Sequence, residues 1–174
     1  EGMVLAAQYA REKQIPYLGI CLGMQIAVME FARHAAGLSQ ANSGEFDPDC
    51  PQKVIDFMPG QSEAIDKGGT LRLGSYPCVV AAGTTMARCY GSPQIRERHR
   101  HRYEFNNDYK AQYEAAGMKC VGINPESDLV EIVEIPALKW FIGTQFHPEY
   151  SSTVLNPHPL FVAFVKAAIE NEKN

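Results

Sequence analysis

Residues 19–23 read Gly-Ile-Cys-Leu-Gly and lie between a short apolar run and a helical pattern. The sequence G-x-C-x-G is the nucleophile elbow G-x-S-x-G with sulfur in place of oxygen. Such a turn holds the nucleophile in a strained conformation, and its glycines prevent Cβ collisions where the chain folds back. Cys21 is therefore predicted to be a nucleophile that projects into a cleft. The alternative from this pattern alone is a buried cysteine at a strand end with two turn glycines.

The helix predicted after Cys21 has its own effect on the thiol. Its N-terminal dipole and free N–H groups would be directed at the sulfur, which predicts a lowered thiol pKa. The N–H of Leu22 follows the nucleophile and is the predicted donor of an oxyanion hole.

A histidine and a carboxylate occur far along the chain, in the sequence QFHPE at residues 145–149. Alternate residues of an extended chain point to one side, so His147 and Glu149 are predicted to project together from a strand end where Pro148 stops the pairing. A cysteine, a histidine that takes its proton and a carboxylate that orients the imidazole form a catalytic triad. Cys21, His147 and Glu149 are the predicted set. The alternative for His147 is an exposed imidazole at a strand end.

The elements that would position these residues follow from periodicity and turn signals. Helices are predicted at residues 2–13, 25–36, 108–116 and 159–171. Strands are predicted at residues 17–21, 54–57, 70–73, 78–81, 98–105, 119–124, 129–135 and 141–146. Residues 37–69 are interrupted by Gly, Pro, Asn and Asp and are predicted to be mostly loop. We expect one α/β domain over residues 1–174, a sheet flanked by helices with an antiparallel extension.

The composition bounds the function. The 174 residues are 45% hydrophobic and 21% charged, as in ordinary globular domains. A net charge of -4 argues against a general nucleic-acid binder. No membrane-length apolar run or signal-peptide pattern occurs, so we expect a cytoplasmic protein without membrane association. The five cysteines include no Cys-x-x-Cys pair, which favours free thiols, and no ligand spacing predicts a metal site.

Two segments together resemble the signature pair of class I, triad-type glutamine amidotransferases: PYLGICLGMQ at residues 16–25 and QFHPE at residues 145–149. Three more resemble the CTP synthase branch of that family: ANSGEF at 41–46, GGTLRLG at 68–74 and ERHRHRYEFN at 97–106. The resemblance implies a flavodoxin-like sheet and release of ammonia from glutamine. It assigns the nucleophile to Cys21, the base to His147 and the orienting acid to Glu149.

The same resemblance implies a set of L-glutamine contacts: Leu22, Gly23, Met24, Gln25, Glu45 and Arg102. An amino acid zwitterion needs an acceptor for its ammonium and donors for its carboxylate, which Glu45 and Arg102, or main-chain atoms at these positions, would supply. Taken alone, Glu45 is a solvated loop acid. Arg98, Arg100 and Arg102 are, on their own, one exposed strand face. The other Arg and His residues of this run are expected to face a domain interface or to stabilise the loop.

The resemblance also implies partners and cofactors. Members of the family carry a glycine-rich loop before the elbow as the second oxyanion donor, and none precedes Cys21 here. We therefore expect a C-terminal part of a longer enzyme, without the N-terminal strands of the sheet or the synthetase domain. The complete enzyme would aminate UTP with ATP and Mg, respond to GTP and form a homo-oligomer, whereas this domain would need no cofactor. Alternatives are a GMP synthetase glutaminase, a γ-glutamyl hydrolase or a catalytically silent regulatory module.

Overall fold

The computed structural model describes residues 1–57 and 72–173. Its helices are α1 (Gly2–Glu12), α2 (Leu22–His34), α3 (Thr85–Tyr90), α4 (Lys110–Ala116) and α5 (Pro159–Glu172), with 3-10 helices at Asn107–Tyr109 and Pro148–Ser151. Its strands are β1 (Tyr17–Ile20), β2 (Ala41–Ser43), β3 (Gln52–Phe57), β4 (Arg72–Val80), β5 (Gln94–His101), β6 (Tyr103–Phe105), β7 (Lys119–Ile123), β8 (Val130–Glu134) and β9 (Phe141–Thr144). Thr70 and Leu71 of a predicted strand, and residues 58–69 of the predicted loop, lie outside the described residues.

The main layer is a six-stranded mixed sheet in the order β1-β9-β8-β7-β4-β5. Strands β1 and β9 run parallel, and the other neighbours are antiparallel. The predicted α/β architecture with an antiparallel extension is confirmed. A second sheet, with the order β2-β3-β6, was not predicted.

Helix α2 is the centre of the fold. Every residue from Met24 to Ala32 is buried, because the helix packs against α1, β1, β9 and the small sheet at once. Its one buried acid, Glu30, accepts three hydrogen bonds of 2.7–3.1 Å from the Arg11 guanidinium on α1. A buried charge with such a bidentate partner is satisfied, so it is tolerated inside the core. The helix that begins directly after Cys21 is therefore firmly held.

Several predicted boundaries were wrong. Helix α2 begins at Leu22 rather than residue 25, and the predicted strands 70–73 and 78–81 contribute to the single strand β4. The predicted strand 98–105 is interrupted at Arg102, where the chain passes from the large sheet to the small one. Helix α3 is short but well capped: Thr84 accepts from the Ala87 N–H, and Gly91 ends the helix with φ 65°.

No helix among the described residues has the length and apolar character required to cross a bilayer.

Candidate active site

The elbow holds Cys21 in a backbone conformation that few side-chain-bearing residues adopt, with φ 51° and ψ -105°. Two main-chain hydrogen bonds over-determine this geometry. The Cys21 N–H donates to the Thr144 carbonyl at 2.7 Å, and the Cys21 carbonyl accepts from the Gln25 N–H at 3.2 Å. Strain of this kind persists where surrounding structure fixes it, as at a nucleophile.

The two glycines of the elbow are not equivalent. A Cβ at Gly19 would lie 2.6 Å from the Gly23 carbonyl group and 2.8 Å from a ring carbon of Tyr17. A Cβ at Gly23 would approach the Tyr17 hydroxyl no closer than 3.9 Å, which is an ordinary van der Waals contact. Only Gly19 is required by close approach, which corrects the expectation for both. A third glycine contributes from β9, since a Cβ at Gly143 would lie 2.9 Å from Met24.

The prediction of a lowered thiol pKa was wrong. Burial raises the pKa of Cys21 above its ordinary value of 9.0, and the negative charges of Glu104 and Glu149 raise it further. The Leu22 N–H and the Gln145 side chain act in the opposite direction but do not overcome burial. Desolvation therefore outweighs the helix N-terminus. The thiol is mostly protonated at neutral pH, so forming the nucleophile requires a base.

His147 and Glu149 are in contact, with 2.6 Å between His147 Nδ1 and Glu149 Oε1. The local reason differs from the prediction. Strand β9 ends at Thr144, and His147 caps the 3-10 helix Pro148–Ser151, so the turn and not a strand face brings the side chains together. The carboxylate places the proton on Nδ1. The buried Nε2 atom has no hydrogen-bond partner among the described residues and is the nitrogen able to accept a proton.

The topology brings the cysteine and the histidine to the same end of the sheet. Cys21 directly follows β1, and His147 lies three residues after the end of the parallel neighbour β9. The bond from Cys21 to Thr144 joins these two segments. The His147 N–H donates to the Arg98 carbonyl at 2.8 Å, which fixes this segment against β5.

A pocket of about 270 Å³ opens at the elbow. Its wall consists of Cys21, Leu22, Gln25, Glu45, Arg100, His101, Arg102 and Tyr103. Thus Leu22, Gln25, Glu45 and Arg102, four of the six predicted glutamine contacts, border the same space as Cys21.

The other two predicted contacts lie elsewhere. Met24 is fully buried, and the Gly23 carbonyl accepts a hydrogen bond from the Tyr17 hydroxyl at 2.7 Å. Neither residue belongs to the pocket wall that the described residues form. Their contact with glutamine stays a prediction and would have to involve main-chain atoms.

The sequence reasoning missed part of the pocket wall. Arg100 and Tyr103 belong to it because the crossing from β5 to β6 turns this segment toward Cys21. It also missed Gln145, whose side-chain nitrogen lies 3.7 Å from the Cys21 sulfur. The position of Gln145 beside His147 in the QFHPE motif was the available signal.

A buried polar network supports the pocket from behind. Arg72 pairs with Glu131 at 2.7 Å, and the rings of His99 and His101 share a 2.8 Å hydrogen bond. Burial and the Arg72 charge lower the pKa of His99 to about 2 and that of His101 to about 3. Both imidazoles are therefore neutral at physiological pH. This placement agrees with a loop-stabilising role, whereas Arg100 is exposed on the opposite strand face.

Residues 1–57 and 72–173 contain no group of three His, Cys, Asp or Glu side chains arranged to hold a metal ion.

Comparison with known proteins places this site in a family. Residues 1–167 match the family described as "Glutamine amidotransferase class-I", and the chain belongs to that family. The resemblance inferred from the motifs is thereby confirmed.

The curated relatives are similar over nearly the whole chain. A CTP synthase of Bacteroides thetaiotaomicron is 68% identical over 174 residues, which cover 100% of this chain and 32% of that protein. A CTP synthase of Porphyromonas gingivalis strain W83 is 53% identical over 173 residues, which cover 99% and 32%. The chain thus spans about a third of the length of these relatives.

Solved structures agree with the fold. A Trypanosoma brucei structure described as the CTPS glutaminase domain with bound acivicin has a TM-score of 0.90 at 38% identity, covering 97% of this chain and 66% of that chain. A Thermoplasma acidophilum protein described as part of a putative GMP synthase has a TM-score of 0.60 at 15% identity, covering 98% and 66%. The second likeness concerns the fold alone.

Proposed function

We propose that this chain hydrolyses the side-chain amide of glutamine and supplies the ammonia to a synthetase domain that forms CTP. The observation that carries the proposal is the strained Cys21 at the mouth of an amino-acid-sized pocket, joined through Thr144 to the segment of the Glu149-oriented His147. The 68% identity to a CTP synthase across the whole chain supports the choice of branch.

The first half of the reaction forms a thioester. His147 Nε2 takes the Cys21 proton, and the thiolate attacks the amide carbon of glutamine. The oxyanion of the tetrahedral intermediate accepts a hydrogen bond from the Leu22 N–H. The C–N bond then breaks, and the imidazolium gives its proton to the departing ammonia. A γ-glutamyl thioester remains on Cys21.

The second half returns the enzyme to its starting state. His147 takes a proton from water, and the resulting hydroxide attacks the thioester carbonyl. The C–S bond breaks, glutamate leaves and the cysteine sulfur recovers its proton from the imidazolium. Glu149 keeps the imidazole in the tautomer that both halves need and stabilises the imidazolium, without itself taking the proton.

The pocket suits a zwitterionic substrate. Glu45 offers a carboxylate to the substrate ammonium, and Arg102, with Arg100 beside it, offers donors to the substrate carboxylate. The substrate amide would then lie at the Cys21 end of the pocket. Contact through the side chains of Glu45 and Arg102 is the geometry we propose.

The partners of the whole enzyme are also proposals. We infer that it aminates UTP with ATP and Mg, responds to GTP, contains the synthetase domain on the same polypeptide and assembles as a homo-oligomer, by similarity to the CTP synthases. The cytoplasm stays the predicted location. No specific observation favours a GMP synthetase, a γ-glutamyl hydrolase or a silent regulatory module.

The test is Cys21→Ala in the full-length protein, with Cys89→Ala as the control at another half-buried cysteine. CTP formation is measured with glutamine and, separately, with free ammonia. We expect the glutamine-dependent rate to fall at least about 10⁴-fold, because the nucleophile is lost. The ammonia-dependent rate should stay within about twofold, because the synthetase site is separate.

Equal loss of both rates in a folded variant would contradict this division of labour. Absence of ammonia-dependent CTP formation in the unmodified enzyme would contradict the CTP branch, while glutamate release tests the glutaminase independently. A glutamine-like electrophile should label Cys21 and leave Cys50, Cys78, Cys89 and Cys120 unmodified.

A further inference from the structure

Gln145 lies between the glutamine pocket and the nucleophile. Its side chain is fully buried, and its main-chain N–H donates to the Glu131 carbonyl at 2.8 Å, which anchors it on β8. Its side-chain Oε1 accepts from Gln25 Nε2 at 3.3 Å, and its Nε2 donates to the Cys21 sulfur at 3.7 Å.

The direction of this amide is fixed by its neighbours. Gln25 Nε2 also donates to the Tyr103 carbonyl at 3.0 Å, so this nitrogen serves two acceptors and its orientation is set. Because Oε1 of Gln145 accepts from Gln25, its NH₂ group must face the sulfur. A reversed amide would place two acceptors, an oxygen and the sulfur, against each other.

We propose that Gln145 is a further catalytic residue, whose amide N–H donates to the Cys21 sulfur and stabilises the thiolate. This inference rests on the proposed glutaminase function. Through Gln25 the same amide connects the wall of the substrate pocket with the nucleophile. The side chain exchanges no proton, and its whole effect is the hydrogen bond that it donates.

A single donor matters at this sulfur because the thiol is desolvated. A hydrogen bond to an ionised acceptor is about twice as strong as one between neutral groups, so it favours the thiolate over the thiol. Burial and two nearby carboxylates oppose ionisation of Cys21, and the Leu22 N–H is the other donor that favours it. The competing interpretation is that Gln145 only fills the core as a satisfied amide. That interpretation predicts a loss of stability without a change at the thiol.

The test is Gln145→Met in the full-length enzyme, which keeps the length of the side chain and removes its donor. The alkylation rate of Cys21 by iodoacetamide is followed against pH without glutamine, with the modified peptide measured by mass spectrometry. We expect the midpoint to rise by about one pH unit, a tenfold loss of thiolate. Glutaminase turnover should fall about 10- to 100-fold with little change in KM, while ammonia-dependent CTP formation is retained.

The matched control is Tyr113→Phe. Tyr113 is also fully buried, and its hydroxyl donates one hydrogen bond of 3.0 Å to the Val28 carbonyl, about two helical turns along α2 from Cys21. It should lower stability and leave the Cys21 midpoint unchanged.

A measurement on the unmodified enzyme makes the test independent of the variant's folding. In protein labelled with ¹⁵N-glutamine, the side-chain amide resonance of Gln145 should shift with the same midpoint as the alkylation of Cys21. An unchanged midpoint in folded Gln145→Met, or an amide resonance that stays fixed across the titration, overturns the proposal. Because these readouts need no turnover, an enzyme that fails to hydrolyse glutamine would disprove the proposed function separately.

Discussion

Two histidine–glutamate pairs of this protein have nearly the same contact and opposite surroundings. His147 and Glu149 meet at 2.6 Å, and His158 and Glu97 meet at 2.8 Å. The side chains of the second pair are only 5% and 4% exposed, whereas those of the first are 18% and 45% exposed. The two pairs therefore allow the requirements for a base and for a structural contact to be separated.

The difference lies in the ring nitrogen that does not touch the carboxylate. In His158, Nδ1 accepts from the Leu160 N–H at 3.2 Å as the cap of α5, while Nε2 bonds Glu97. Both nitrogens are therefore committed. In His147, Nδ1 bonds Glu149 and Nε2 has no hydrogen-bond partner among the described residues. A nearby carboxylate does not by itself identify a base, because the opposite nitrogen must also be available.

The largest effect should come from His147→Asn, which removes the proposed base while keeping a polar side chain. Glutaminase turnover in the full-length enzyme should fall at least about 10⁴-fold, because the protonated thiol of Cys21 then has no acceptor. The free energy of unfolding should change by less than about 1 kcal/mol, since the lost contact is with a partly exposed carboxylate. Turnover and urea denaturation are measured together. Residual turnover above about 1% of the original rate would transfer the role of base to another group.

The sequence predicted the local parts of this site and missed the parts made by tertiary contacts. The elbow at Cys21 and the pairing of His147 with Glu149 lie within short segments whose residue types define them. The thiol pKa was mispredicted because burial depends on packing that a segment does not encode.

Distant partners explain the other misses. His158 was correctly predicted to lie before a helix, but its partner Glu97 is 61 positions away. The place of Arg100 in the pocket depends on the crossing from β5 to β6. That crossing follows from a second sheet, for which the three-residue strands β2 and β6 gave no pattern.

The next effect is that of Glu149→Gln, which keeps the shape of the side chain and removes its charge. The wrong imidazole tautomer is then favoured and the imidazolium is less stabilised, so turnover should fall about 10- to 1,000-fold. Glutamine affinity should change much less, because Glu149 is not part of the pocket wall. Kinetics and equilibrium binding in the full-length variant measure both quantities.

Glu97→Gln is the matched control for this change. Its carboxylate contacts the other histidine, so it should lower stability and leave turnover per folded molecule within about twofold. Unchanged turnover in Glu149→Gln would remove Glu149 from the triad. A loss confined to affinity would make it a binding residue.

A smaller effect, on stability alone, is expected for His158→Gln. The substitution breaks a buried contact with Glu97 and the cap on α5, and should lower the free energy of unfolding by about 2–3 kcal/mol. Turnover per folded molecule should stay within about twofold, because no nitrogen of His158 is available for proton transfer. Urea denaturation of the full-length protein, corrected for the folded fraction, tests this. A turnover loss comparable to that of Glu149→Gln would show that the two pairs are not functionally distinct.

The smallest effect should be that of Tyr90→Phe. The Tyr90 hydroxyl donates to Glu97 Oε1 at 2.7 Å, and its ring packs edge-on against His158 with centroids 5.5 Å apart. Phenylalanine keeps the ring contact and removes the hydroxyl, while Glu97 retains His158 as a partner. We therefore expect a loss of about 1 kcal/mol, less than for His158→Gln, and unchanged turnover.

Tyr76→Phe is the control for Tyr90→Phe. Its hydroxyl donates to the Leu73 carbonyl at 3.1 Å in an exposed position, so removing it should change stability by less than about 0.5 kcal/mol. The double variant of Tyr90 and His158 should show a coupling of about 0.5–1 kcal/mol, because both residues bind the same carboxylate oxygen. Strict additivity would mean that Tyr90, Glu97 and His158 do not act as one buried unit. The contrast with His147 would then rest on the single contact between His158 and Glu97.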